Sequence, residues 1–210
     1  MKTPEDLLAG YRRFRSGSYR DHAARFEALG DGQNPDVMLI ACCDSRAEPA
    51  QIFDAAPGEL FVVRNVANLV PPCEDDGGRH GVSAALEFAV TSLEVEHIVV
   101  MGHGGCGGVA ASLAAADAQP VGKFIAPWVD LLDVARDAVL ASGVENPQRA
   151  LEFAGVTQSL VNLMSFPFVT ERVADGRLHL HGAWFAIFSG ELYWRNQISG
   201  RFDLVSAKQA

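Results

Sequence analysis

The sequence has no run approaching ~18 consecutive apolar residues, so it offers no candidate membrane-spanning helix. Cations are few: 17 Lys and Arg stand against 26 Asp and Glu, for a formal net charge of -9. Nucleic acids and anionic membranes both select cationic patches and are set aside as main partners, although a local pocket for a small anion stays compatible with that total. Cysteine occurs only at positions 42, 43, 73 and 106. The opening MKTPEDLLAGYRRF has acidic residues where a secretory leader needs an uninterrupted apolar stretch, so a cytoplasmic protein is expected. In that reducing compartment four cysteines are thiols or metal ligands rather than a disulfide framework. Internal repeats, low-complexity tracts and long linkers are missing as well. What is there, 49% hydrophobic and 20% charged residues in a chain of 210, suits one domain over residues 1–210 with a sizeable core.

TPEDLLAGYRRFRSG reads as a capped helix: Thr3 can cap it, Pro4 suits its first turn, and Glu5 and Asp6 face its positive end. YRDHAARFEALG predicts a second helix ending at Gly30. Both carry few large apolar residues, so residues 1–30 are expected to form a helical arm that packs on something other than its own core, a partner subunit being one candidate. From Val37 the pattern changes. VMLIACC, LFVVRN and HIVVMGH each read as a short buried strand running into polar or Gly-rich sequence. Helices are expected over RHGVSAALEFAVTSL, whose Val82, Leu86, Phe88 and Leu93 roughly suit one, over GGVAASLAAADA, and around 125–141 and 147–165. LHLHGAWFAIFSGELYWRN reads as a late strand and hairpin turning at Ser189-Gly190. The alternation predicts an α/β fold with a central, mostly parallel sheet flanked by helices and a late antiparallel hairpin. Ligands of such sheets gather outside the carboxyl ends of the strands. That edge receives residues 42–46 after the first strand, Arg64-Asn65 after the second and residues 103–106 after the third.

Extended backbone sends alternate side chains to one face, so Cys42, Asp44 and Arg46 are expected to point together while Cys43 and Ser45 point away. Cys43 is then a small buried residue and no ligand. A vicinal Cys42-Cys43 disulfide would be strained. Cys42, His103 and Cys106 make a Cys-His-Cys set. Zinc prefers thiolate and imidazole ligands in tetrahedral geometry, and three protein ligands leave one position for water. A closed structural site would take a fourth; Cys73 and His80 lie in PPCEDDGGRH, a loop with no strand to aim them. Asp44 is nearer. It either binds the metal itself or pairs bidentately with Arg46 and orients a metal-bound hydroxide. The glycines of GHGGCGGV lack the Lys-Ser/Thr of a P-loop and the spacing of a dinucleotide fingerprint; they are expected to let backbone pass close to the metal.

Cys42-x-Asp44-Ser45-Arg46 with His103-x-x-Cys106 resembles the signature of the β-class carbonic anhydrases. RNVANLVPP, GVSAALEFAV and GHGGCGGV are similar to further segments of that family, and the likeness runs from about Gln33 to the late LHLHGAWFAIFSGEL strand. The resemblance implies one Zn2+ on Cys42, His103 and Cys106, and a catalytic dyad of Asp44 and Arg46. It also implies a substrate pocket lined by Gln33, Phe61, Val66, Phe88 and Gly107, with Gln33 offering an amide from its own chain or across a dimer interface. Family members usually carry Tyr at the Phe88 position, so a hydroxyl is missing here. The implied reaction is reversible hydration of carbon dioxide to bicarbonate and a proton, zinc lowering the pKa of its water from 15.7 toward roughly 7. A homodimer or homotetramer is implied too.

Some family members are inhibited by bicarbonate held by a Trp, an Arg and a Tyr, with the Asp moved onto zinc. The matching positions are Leu39, Arg64 and Phe185, of which only the Arg remains, so an open site with Asp44 on Arg46 is expected. Arg64 is then structural and ties the loop after the second strand. Rival readings keep the fold and zinc but hydrolyse carbonyl sulfide or carbon disulfide, or use zinc only to stabilise a binding or scaffold protein. A redox role for Cys42-Cys43 is the remotest of these. For proton transfer His22, His80, His97, His179 and His181 are all candidates, with buffer as the alternative.

Overall fold

The computed structural model describes residues 3–74 and 76–206. A six-stranded sheet is made of β1 (Val37–Cys42), β2 (Leu60–Asn65), β3 (His97–His103), β4 (His179–Ala186), β5 (Glu191–Arg195) and β6 (Phe202–Leu204), ordered β2-β1-β3-β4-β5-β6. β2, β1, β3 and β4 run parallel, and β5 and β6 complete the sheet antiparallel. Period-two alternation sorts β1 and β3 between two apolar layers. Met38, Ile40, Ile98 and Val100 face one layer with Leu86, Val156, Leu163 and Val169; Leu39, Ala41, Val99 and Met101 face the other with Phe53, Leu192 and Trp194. No helix of the described residues is long and apolar enough to cross a membrane.

The first helix, α1 (Pro4–Ser16), starts at Thr3 with a reciprocal cap. Asp6 N–H donates to the Thr3 hydroxyl at 3.3 Å, and Thr3 N–H donates to the Asp6 carboxylate at 2.8 Å. It buries no residue, and Leu7, Leu8, Tyr11 and Phe14 are exposed. The second helix is not continuous. It splits into Ser18–Asp21 and Ala23–Ala28 around His22, whose φ of -110° and ψ of 18° leave the helical region, and a tight turn over Leu29–Asp31 follows. Ring packing accounts for the break: Tyr19 stacks on Phe26 at 5.0 Å, and Phe14 meets both edge-on.

Further along, α2 (Gly81–Glu87) runs into a wider π-helical turn over Phe88–Ser92. α3 (Gly107–Ala116) follows β3 and packs near the short Ala126–Val129 helix, before α4 (Asp133–Ala141) and α5 (Pro147–Leu163). The β4–β5 hairpin pairs Ala186 with Glu191 and turns at Gly190, whose φ is +73°. Several short elements escape the sequence patterns, among them a helix over Pro49–Ile52. α6 (Pro167–Ala174) is only eight residues long, and β6 has three.

At the amino ends of β3 and β4, His97, His179 and His181 cluster, with His181 Nε2 3.3 Å from His97 Nδ1. Burial first, then repulsion from His97 and His179, pushes the His181 imidazole below its usual range. The folded chain therefore takes up that proton less readily than the unfolded one. Its contribution to stability is complete above the unfolded pKa of about 6.5 and is lost as pH falls below it. His181→Gln is expected to flatten the fall in Tm between about pH 7 and pH 5, measured by differential scanning fluorimetry; an unchanged slope would contradict this account.

Candidate active site

Cys42 ends β1, His103 ends β3 and Cys106 immediately precedes α3, so the parallel register delivers all three to one edge of the sheet. Their ligand atoms all lie within 4.8 Å of one another, the two sulfurs are 3.9 Å apart, and all three residues are buried. Gly105 turns the chain between His103 and Cys106 with φ of +65°. Gly108 has no room for a side chain, since a Cβ there would sit 2.6 Å from Val66 Cγ1.

The donor set suits a metal ion. His103 Nδ1 lies 3.1 Å from the Gly104 carbonyl, which can only accept, so Nδ1 carries the proton and the Nε2 lone pair is free. Nε2 is fully buried and has no hydrogen-bond partner. An orphaned imidazole nitrogen beside two sulfurs matches tetrahedral zinc. Of the two thiols Cys42 gives up its proton first: the hydrogen bond from Cys106 draws it down to about 4 despite its burial. The same contact, with burial, pushes the Cys106 thiol up. For His103 burial acts to lower the pKa, but the negative charge of Cys42 and the bond to the Gly104 carbonyl prevail and raise it.

Past Cys42 the chain leaves the sheet and turns, with Ala47 N–H donating to Asp44 O at 3.1 Å. Asp44 does not join the cage as a ligand. Arg46 Nε and backbone N–H donate to Asp44 Oδ1, both at 2.9 Å, and Arg46 Nη2 donates to Oδ2 at 2.7 Å. Arg46 Nη2 also reaches the Gly105 carbonyl at 3.1 Å, joining the two loops. Those bonds hold the Asp44 carboxyl well below the usual carboxylate range. Its Oδ2 stands 3.8 Å from His103 Nε2, beside the cage.

Arg64 ties a different loop from the one anticipated. It projects from β2 to the loop after β1, donating to the carbonyls of Cys42 at 2.9 Å, Asp44 at 2.7 Å and Ala47 at 3.3 Å, and pairing with Glu48. Parallel strands are neighbours, so the guanidinium at the end of one reaches the loop leaving the next. The loop after β2 is held instead by Asn65, which exchanges side-chain hydrogen bonds with both backbone groups of Leu69.

Of the pocket residues named from sequence, Val66 packs in the cluster that holds Cys42 and Cys106, and Gly107 adjoins Cys106. Phe61 and Phe88 pair at 5.9 Å between ring centroids. Phe61 lies four residues before Asn65 on β2, about 13 Å along the strand from the level of Cys42. Phe88 is 46% exposed, and exposed Gln33 lines a cleft with Arg25, Leu29 and Gly58. Cys43 is exposed rather than buried, because the strand that was to turn its side chain inward stops at Cys42. Cys73 is exposed and His80 is bonded to Asp76 at 2.7 Å; among the described residues neither joins a metal-ligating cluster. His97 lies six residues from His103 along β3, roughly 20 Å away, which removes the histidine cluster from proton transfer at the cage. Sequence reading missed the polar group behind Cys106, formed by Gln148, Glu152 and Trp184. Its one signal was the four-residue spacing of Gln148 and Glu152, which puts both on one helix face.

A family profile described as carbonic anhydrase matches residues 37–192. Beta carbonic anhydrase 5, chloroplastic, of Arabidopsis thaliana is 36% identical over 185 residues, 86% of this chain and 61% of that protein. A carbonic anhydrase of Synechococcus elongatus is 35% identical over 190 residues, 89% of this chain and 69% of its own length. The solved structure of the β-carbonic anhydrase CcaA superposes with a TM-score of 0.90 at 30% identity, covering 97% of this chain and 92% of that one. A structure from a study of two tetrameric β-carbonic anhydrases of Sordaria macrospora gives 0.78 at 29% identity, over 90% and 94% of the two chains.

Replacing one sulfur breaks the cage without disturbing the sheet. Cys106→Ser is expected to fall from stoichiometric zinc to a small fraction by elemental analysis, with the far-ultraviolet circular dichroism unchanged. Full zinc occupancy in that variant would mean that the ligand set is wrong.

Proposed function

The chain belongs to the β-class carbonic anhydrases, and from that premise we propose that it catalyses reversible hydration of carbon dioxide to bicarbonate and a proton. The observation that carries this reading is a three-donor cage with an ion-paired carboxylate 3.8 Å from its imidazole nitrogen. Cys42 and Cys106 would hold one Zn2+ as thiolates, and His103 would hold it through Nε2. Zinc supplies Lewis acidity, which brings the pKa of water down to roughly 7. Asp44 then does the orienting. Because Arg46 keeps it deprotonated, Asp44 can only accept a hydrogen bond, so it fixes the O–H of the reacting water and turns the water's lone pair toward carbon dioxide. Arg46 holds that carboxylate in place through three donors. Val66 and Gly107 form an apolar wall beside the cage. The proton leaves to buffer.

Gln33, Phe61 and Phe88 complete the pocket of a second copy in this reading. Support comes from the large apolar Phe88 being exposed in the lone chain and from Phe61 lying far down the strand from Cys42. Without a hydroxyl, Phe88 packs against substrate and donates nothing. Residues 1–210 act as one domain whose arm, residues 1–30, lies on the partner; Leu7, Leu8 and Tyr11 of α1, all exposed in the lone chain, support this. A dimer is the minimum unit, and the tetrameric Sordaria relatives make a tetramer the larger candidate. Four free thiols fit the reducing cytoplasm.

We also assign the chain to the open-site subgroup. Buried Leu39 and half-buried Phe185 offer no donor to an anion, at about 1 kcal/mol for each hydrogen bond lost. Arg64 is already engaged by three carbonyls and Glu48. Asp44 therefore stays on Arg46.

Stopped-flow acidification by carbon dioxide should be abolished by chelator and restored by zinc. Asp44→Asn should lower kcat/KM about 100-fold or more while zinc content is kept. A zinc-loaded protein that leaves carbon dioxide untouched but hydrolyses carbonyl sulfide would overturn the reading. Crystals at slightly alkaline pH with Asp44 on the metal would overturn the subgroup.

A further inference from the structure

Cys106 is the least constrained of the three donors by its own sequence. Gly104 and Gly105 precede it and Gly107 and Gly108 follow, and a glycine-flanked backbone has the most conformational freedom to lose on ordering. Cys42 and His103, by contrast, sit in strand pairings. Something outside the loop has to hold Cys106.

One turn of α5 does so. Cys106 N–H donates to Glu152 Oε1 at 3.1 Å, and Gln148 Nε2 donates to the Cys106 carbonyl at 3.0 Å. The same Gln148 amide donates to Glu152 Oε1 at 2.8 Å, and the Trp184 indole N–H donates to Glu152 Oε2 at 3.1 Å. Glu152 is 4% exposed and, among the described residues, has no Lys or Arg in ion-pair range. Burying a carboxylate without a cation is costly, so its hydrogen bonds must all be met. Every neighbour is a donor. A carboxylate accepts at both oxygens, whereas an amide of the same shape turns an NH2 toward a donor.

We propose that Glu152 is a positioning residue for the metal centre, an acceptor-only clamp that fixes the Cys106 backbone so that its sulfur faces Cys42 before the ion binds. This rests on the zinc reading above. Outer partners of metal ligands typically contribute 10- to 100-fold in affinity.

Zinc affinity is measured by competition with a chromophoric chelator on the full chain, alongside the thiolate-to-metal charge-transfer spectrum after cobalt substitution. Glu152→Gln is expected to weaken zinc about 10- to 100-fold and shift the cobalt spectrum. Trp184→Phe removes the donor that the new amide would face, so the double variant should regain part of the loss. Singles that simply add, or a Glu152→Gln protein with native affinity and spectrum, would overturn the proposal. Should Glu152→Gln not fold, Gln148→Ala loosens the other end of the same clamp and should weaken zinc about 10-fold; native affinity there overturns the proposal equally. A wild-type chain that binds no zinc would fell the functional reading and this one together, whereas tight binding by wild type and variants alike fells this one alone.

Discussion

The parallel pairing of β1 with β3 is the constraint on which the rest depends. Val37 lies opposite His97 and Ala41 opposite Met101, so Cys42 and His103 leave the sheet at neighbouring levels. Side chains alternate with a period of two, and a slip of one residue would send Cys42 to the other layer. Register is held by the burial of Met38, Ile40, Ile98 and Val100 on one side and Leu39, Ala41, Val99 and Met101 on the other. Eight apolar side chains thereby set the separation of a sulfur and an imidazole.

Two kinds of support act on the edge so formed. Arg64 of β2 holds the first loop by the carbonyls of Cys42, Asp44 and Ala47, and Arg46 within that loop binds Asp44 while touching Gly105 across the gap. Helix residues hold the second, through the Gln148 and Glu152 contacts to Cys106. Asp44 and the cage are thus fastened from opposite sides, and Arg46 bonds to both loops.

The strands were legible because a buried parallel strand is a short apolar run, and the cage was legible because strand ends converge on one edge in this topology. Cys43 was misread because the alternation was carried beyond the point where the backbone turns. The broken second helix was hidden for a different reason: the contact among Phe14, Tyr19 and Phe26 outweighs helical continuity, and local propensity does not report it. Glu152 was invisible since ALEFAGV gives no sign that its carboxylate faces inward, toward an amide N–H 46 residues earlier. The target of Arg64 was misassigned because a cation at a strand end can reach the loop of its own strand or of the next, and only the sheet order decides.

The grip of Arg64 on the loop after β1 bears on what so small a substrate can ask of a protein. Larger substrates bring remote groups whose attachment can drive a loop shut and finance its ordering. A three-atom molecule without charge brings almost none. For such a reactant the catalytic loop has to be finished when the chain folds, and the carbonyls bound to Arg64 are where that ordering was settled in advance.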